Sequence, residues 1–195
     1  MTHSILLSGV GGQGILLAAK IIGEAAVASG YEVRSNEIHG MAQRGGCVTA
    51  QVRFGPQVHS PLILEGTADV LAALEHIEAL RWAHVLKPDG LAVVSRQSIL
   101  PVAVSAGKAT YPADVADRLR AVFPRLIYAD CVSKARAMGD ARFANLIIVG
   151  MAATALPIET PAWREAIRLR VPEKSFDQNL AAFEFGRSLK EGMHK

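Results

Sequence analysis

The apolar positions of the chain switch repeatedly between strand-like runs and helical spacing. Residues 4–8 (SILLS) are a short apolar run closed by glycine, which predicts a buried strand. From Ile15, the stretch ILLAAKIIGEAAVASG repeats apolar residues at helical spacing and stops at Gly30, a suitable residue just past a helix end. Residues 31–38 predict a second strand. Residues 47–54 alternate, with Val48, Ala50, Val52 and Phe54 set against Thr49, Gln51 and Arg53, the pattern of a half-exposed strand. A strand over 68–74, a helix over 76–86, a turn at KPDG and a strand over 91–95 follow. The remaining pattern predicts a helix over 112–123, a short strand over 126–129 and helices over 141–156, 161–170 and 175–191.

Strands interleaved with helices predict a three-layer α/β/α, Rossmann-like fold with a helical C-terminus. The expected sheet is mostly parallel, mixed at an edge if the 47–54 strand runs antiparallel there. No repeat, low-complexity segment or long linker divides the chain, so residues 1–195 read as a single domain.

Composition narrows the classes. Half the residues are hydrophobic, a fifth are charged, and the mean hydropathy is +0.23. That excess calls for strands buried on both faces, or for an apolar surface that meets a partner or a second copy of the chain. The longest apolar run, residues 146–158, contains Gly150 and Pro157 and is too short for a membrane span, which needs about 18 residues. The N-terminal MTHSILLSGVGG lacks the basic start of a signal peptide, so the expected location is cytoplasmic, with Cys47 and Cys131 as reduced thiols. A net charge of +3, from 21 basic and 18 acidic residues without a like-charged block, argues against nucleic-acid binding.

Two glycine-rich stretches carry the candidate chemistry. GVGGQG, with Gly9, Gly11, Gly12, Gln13 and Gly14, follows a strand and opens a helix in G-x-G-x-x-G spacing. Such a loop brings backbone amides and the positive end of a helix against a phosphate, or it makes only a tight turn. Glu37 lies at the distance where a nicotinamide enzyme places the acid for its ribose, so a stand-alone NAD(P)-binding oxidoreductase is one reading. The second stretch, HGMAQRGG, sets His39, Gln43 and Arg44 among Gly40, Gly45 and Gly46. Arg44 suits a carboxylate or phosphate, and His39 is the one side chain of the pair that titrates near neutrality. If both loops follow parallel strands, they meet at the edge where open α/β sheets bind ligands. The bland reading leaves His39 and Arg44 as surface-turn residues.

GVGGQG, EIHGMAQRGG and VHSPLI, in that order, resemble the gamma-type subunit or domain of the 2-oxoacid:ferredoxin oxidoreductases, and in particular the small subunits of its indolepyruvate branch. The likeness extends through ADVLAALEHIEALR (68–81) and NLAAFEFG (179–186), while 96–140 carries little of it. The resemblance implies oxidative decarboxylation of an arylpyruvate with coenzyme A, giving an acyl-CoA, carbon dioxide and two reduced ferredoxins. It also implies thiamine diphosphate, Mg2+ and [4Fe–4S] clusters. A [4Fe–4S] cluster takes four thiolates, and the chain has two cysteines and no GDG…N metal–diphosphate motif. The resemblance therefore places these cofactors on a larger partner subunit, with both loops facing its thiamine site or coenzyme A. A non-catalytic scaffold subunit is the third reading.

Lesser candidates are Cys47, as a small buried residue or a nucleophile activated beside Arg44, and His76 and His84 around Glu78, whose spacing is a poor match to a metal site. Asp69 and Glu75 bracket a strand expected near the ligand edge.

Overall fold

The computed structural model describes residues 1–39, 46–108 and 110–192, without the side chains of residues 39, 102 and 103. Six strands form one sheet: β1 (His3–Val10), β2 (Glu32–His39), β3 (Cys47–Gly55), β4 (Ala68–Ala73), β5 (Leu86–Ser95) and β6 (Leu126–Ala129). Their order is β2-β3-β1-β4-β5-β6. The pairs β1–β4, β4–β5 and β5–β6 are parallel, whereas β3 runs antiparallel to both β1 and β2.

The three layers follow from the alternation of side chains across the strands. One face, including Ile5, Leu7, Val52 and Val70, packs with the helices α1 (Ile15–Ala28), α5 (Cys131–Ala137), α6 (Ala144–Ala153), α7 (Thr160–Arg170) and α8 (Phe176–Ser188). The other, including Leu6, Leu71 and Val94, packs with α2 (His76–Arg81) and α4 (Val115–Val122). A short helix, α3 (Val102–Ser105), lies between β5 and α4.

The antiparallel strand is not at the edge. The short connection after His39 turns β2 back as a hairpin, and β3 inserts between β2 and β1, leaving β2 outermost. Nor is β3 half-exposed. The segment after it folds back over its polar face: Arg53 Nη1 donates to the carbonyls of Ser60 (2.9 Å) and Leu62 (3.1 Å), and the Ile63 amide donates to Gln51 Oε1 (2.7 Å). Gln51 is thus buried beneath the segment that follows the strand, and Thr49 is buried as well.

Helix α6 absorbs much of the apolar excess. All ten of its residues are buried, between the sheet and α8, so its uniform apolarity reflects a central position. The crossing with α8 rests on two glycines. A Cβ on Gly150 would fall on the Phe183 carbonyl oxygen, and one on Gly186 would fall on the Ile147 carbonyl oxygen.

Other departures from the periodicity are local. The expected 76–86 helix breaks after Arg81 into a 3-10 turn, KPDG is drawn into an extended β5, and α5 occupies 131–137, where no helix was expected. Asp130 caps α5 by accepting from the Ser133 amide at 3.0 Å.

Candidate functional site

The first glycine loop meets the end of the second glycine stretch at Gly46. The end of β1 pairs with the start of β3, Val10 opposite Cys47, and the Gly11 amide donates to the Gly46 carbonyl at 3.0 Å. The strands that flank the second stretch, β2 and β3, pair antiparallel rather than as adjacent parallel strands, and Gly46 lies beside the C-terminal end of β1. Gly40, Gln43, Arg44 and Gly45 lie outside the described residues, as does the side chain of His39.

The edge between β1 and β4 is the switch point of this sheet, where open α/β sheets take their ligands. Gln13 bridges it. Its Oε1 accepts from the Val10 amide at 2.6 Å, and its Nε2 donates to the Leu74 carbonyl and to Gln97 Oε1, both at 2.8 Å. Gly9 gives this carboxamide its seat, since a Cβ there would lie 2.5 Å from Gln13 Oε1. Gly14 has φ +81° and makes room for Asn145, whose Nδ2 a Cβ at Gly14 would strike. Two of the motif's glycines thus accommodate carboxamides of the protein itself.

Beside Gln13 opens a cleft of about 230 Å³, lined by Gly12, Gly14, Ser95, Arg136, Arg142 and Asn145 among others. Helix α1 enters it without a side-chain cap and with no acidic residue in its first turn, and the same is true of α6. The start of α1 presents amides and a positive dipole end, whereas α6 runs on from a 3-10 turn that Asp140 caps, and its Ala144 amide donates to the Ala141 carbonyl. Asn145 and Ser95 were not singled out by sequence reasoning. Asparagine at the start of an apolar helix was the available signal, and nothing local showed that it would face Gly14.

Glu37 is displaced from the role expected in a dinucleotide fold. The inserted β3 puts β2 two strands, about 10 Å, from β1. Glu37 instead lines a shallow groove between α1 and β2 with Lys20, Ser35 and Arg170. An acid there does not reach a ribose seated over Gly11 and Gly12.

The profile of the family described as pyruvate ferredoxin/flavodoxin oxidoreductase matches residues 4–189. The chain belongs to that family. Its similarity to indolepyruvate oxidoreductase subunit IorB of Thermococcus kodakarensis is 39% identity, covering 94% of each chain. To the IorB subunit of Archaeoglobus fulgidus it is 41%, covering 95% of this chain and 94% of that one. The 2-oxoglutarate:ferredoxin oxidoreductase of Magnetococcus marinus, solved with 2-oxoglutarate, coenzyme A and succinyl-CoA bound, shares the fold with a TM-score of 0.72 at 20% identity; the match covers 96% of this chain and 30% of that one.

A [4Fe–4S] cluster takes four thiolates, and the two cysteines of this chain sit in different surroundings. Cys131 is wholly buried, and burial pushes its thiol up to about 12. Cys47 donates from Sγ to Glu78 Oε2 at 2.8 Å. Burial first, then the Glu78 carboxylate, raises it to about 11, the opposite direction to the depressed pKa of an activated nucleophile.

The other flank of the edge is a structural polar network. Glu75, buried, accepts from the amides of Ile77, Glu78 and Ile99 and from Tyr111 Oη at 2.5 Å, tying α2 to the segment after β5. His76 spends both ring nitrogens within the protein, on Tyr128 Oη and Ser98 Oγ, while His84 stacks on Trp82. Among the described residues, no three His, Cys, Asp or Glu side chains converge as a metal site. Asp69 lies at the opposite end of β4 from the ligand edge, holding the Ser4 amide and Lys87. No helix among the described residues is long and apolar enough to cross a membrane.

Proposed function

We propose that this chain is the cluster-free, single-domain subunit of a cytoplasmic, coenzyme A-dependent 2-oxoacid:ferredoxin oxidoreductase acting on indolepyruvate or a related arylpyruvate. The reaction consumes the 2-oxoacid anion, coenzyme A and two oxidised ferredoxins, and yields an arylacetyl-CoA, carbon dioxide, two reduced ferredoxins and a proton. Thiamine diphosphate with Mg2+, held on the larger partner subunit, supplies decarboxylation chemistry, and that subunit's [4Fe–4S] clusters carry the electrons. This chain lays its glycine-loop edge over the partner's active site, where its amides hold anionic groups and its bulk excludes water. Arg44 and Gln43 add donors from the second loop, and His39 is the group there suited to moving a proton near neutral pH.

The observation that supports this reading is the hydrogen bond from Gly11 to Gly46, which ties the end of the second glycine stretch to the first beside the C-terminal end of β1. The names of the similar IorB subunits support the substrate. The dinucleotide reading loses support from the displacement of Glu37 and the bridge made by Gln13.

An anaerobic pull-down of the tagged chain from its own host tests the assignment. A stoichiometric larger chain is expected, bringing iron and thiamine diphosphate, with viologen reduction that requires both an arylpyruvate and coenzyme A. A colourless chain eluting alone, with saturable NADH binding, overturns the reading.

A further inference from the structure

We propose that residues 97–99, the turn after β5, form a strap that Glu75 Oε1 fastens, and that release of the strap frees the Gln13 carboxamide from Gln97. The device lies wholly within this chain and does not depend on the subunit reading above.

Glu75, 2% exposed, divides its two oxygens between two tasks. Oε2 caps its own helix, accepting from the Ile77 amide at 2.8 Å and the Glu78 amide at 3.0 Å. Oε1 reaches across to other elements, accepting from the Ile99 amide at 3.3 Å and from Tyr111 Oη at 2.5 Å. Burial, and then the bond to Glu75, holds the Tyr111 phenol above its ordinary range, so Tyr111 stays a donor. The cap is complete with Oε2. What Oε1 adds is a tie between the turn after β4 and the turn after β5.

His76 reinforces the tie. Its amide donates to the Gln97 carbonyl at 3.2 Å, and its Nε2 lies 2.9 Å from Ser98 Oγ. Upstream, the Arg96 amide donates to the Ala129 carbonyl at 2.7 Å, which places the hinge at the end of β5. No residue from 96 to 100 is buried. Polar contacts rather than core packing hold the turn, and segments held in that way open before the rest of a fold does.

The strap carries Gln97. Its Oε1 takes one N–H of Gln13 Nε2, the Leu74 carbonyl takes the other, and Gln13 Oε1 accepts the Val10 amide. A carboxamide has two N–H donors and one oxygen. With the strap fastened, Gln13 is therefore engaged on every side and offers the edge no donor. With the strap released, the N–H that Gln97 held is free beside the switch point of the sheet. The strap thus sets which of two forms the edge presents.

Hydrogen exchange of the full chain, read amide by amide by NMR, tests the device. In the parent, Ile99 should be markedly less protected than Leu7 in the buried sheet. Glu75→Gln keeps an oxygen for the cap but sets an N–H2 group against the Ile99 amide, donor against donor. Exchange at Ile99 should rise about tenfold, and at Val10, which reports Gln13, about threefold; Ile77 should change least. Tyr111→Phe leaves the cap untouched and should move Ile99 and Val10 in the same direction, though less far. Because Glu75 acts through Gln97, Glu75→Gln/Gln97→Ala should raise Val10 no further than Gln97→Ala alone. Equal protection of Ile99 and Leu7 in the parent overturns the proposal. So does an unchanged Val10 in variants whose Ile99 is released, or a fully additive double variant. The exchange needs no partner, ligand or turnover, so its failure is separable from a failure of the complex to oxidise 2-oxoacids.

Discussion

Glycine makes close approach possible both where α6 crosses α8 and where GVGGQG leaves β1, but what approaches is different. At the crossing, Gly150 and Gly186 give way to backbone carbonyls of the facing helix. In the loop, Gly9 and Gly14 give way to the carboxamides of Gln13 and Asn145. Backbone in a packed helix pair has nowhere to move, so those glycines are requirements of the fold. A carboxamide can swing aside, so the loop glycines are requirements of a particular arrangement at the ligand edge.

The sharpest test of that difference is the crossing itself. Gly150→Ala or Gly186→Ala should cost about 3 kcal/mol or more, beyond ordinary overpacking, because the helices must separate to admit the methyl group. Urea unfolding of the purified chain reads the loss. A change of under about 0.5 kcal/mol, the range of an innocuous surface substitution, would mean that the crossing is looser than its geometry.

Gly9→Ala should do less to stability and more to function. Displacing Gln13 frees the Val10 amide and the Leu74 carbonyl, a loss of about 1–3 kcal/mol. Because the added methyl acts through Gln13, the double variant Gly9→Ala/Gln13→Ala should be less destabilised than the sum of the single ones. Strict additivity would show that Gly9 serves only its other neighbours, Ile15 and Leu74.

The same division governs what the sequence made legible. Strands β1, β4 and β6 and helix α1 follow from local runs and spacing, and the G-x-G-x-x-G stretch is the turn that joins β1 to α1. Insertion of β3 between β2 and β1 is a long-range pairing, to which no local pattern responds. Alternation in β3 predicted an exposed face, whereas the segment that follows the strand covers Gln51 and Arg53. Asp130 ahead of Cys131 was a readable cap for α5 that the apolar pattern did not mark. Within the site, the glycines were read as making room for a ligand, whereas Gly9 and Gly14 make room for Gln13 and Asn145. Sequence spacing cannot bring Asn145 to Gly14 across 131 positions.

The two thiols extend the comparison to titration. Cys131 belongs to the interior and Cys47 to the edge, and both are held above the ordinary thiol range. For Cys131 burial is the main cause. For Cys47 the Glu78 carboxylate adds to it. At pH 8, Cys47 should therefore alkylate about a hundredfold more slowly than a free thiol, because the thiolate is the reacting form. Glu78→Gln should speed it, while Cys131 stays inert in both proteins. Mass-spectrometric rates against pH decide this, and equal Cys47 rates in parent and variant would remove Glu78 as a cause. The sign for stability follows. A folded-state pKa raised above the unfolded value favours the protonated fold, so the contribution is fully present below about pH 9 and is lost as pH rises through about 11.

Gly12 separates conformation from close approach and carries the smallest stability effect. Its φ is +97°, yet an added Cβ would meet nothing within 4 Å. Gly12→Ala should thus cost only the backbone strain, about 1 kcal/mol, less than Gly14→Ala, which adds a collision with Asn145. The empty space around Gly12 is the cleft it lines. The methyl group would project into that open space, so urea unfolding of the variant should stay within about 1 kcal/mol of the parent. A loss as large as that of Gly14→Ala would mean that the space beside Gly12 is filled rather than open.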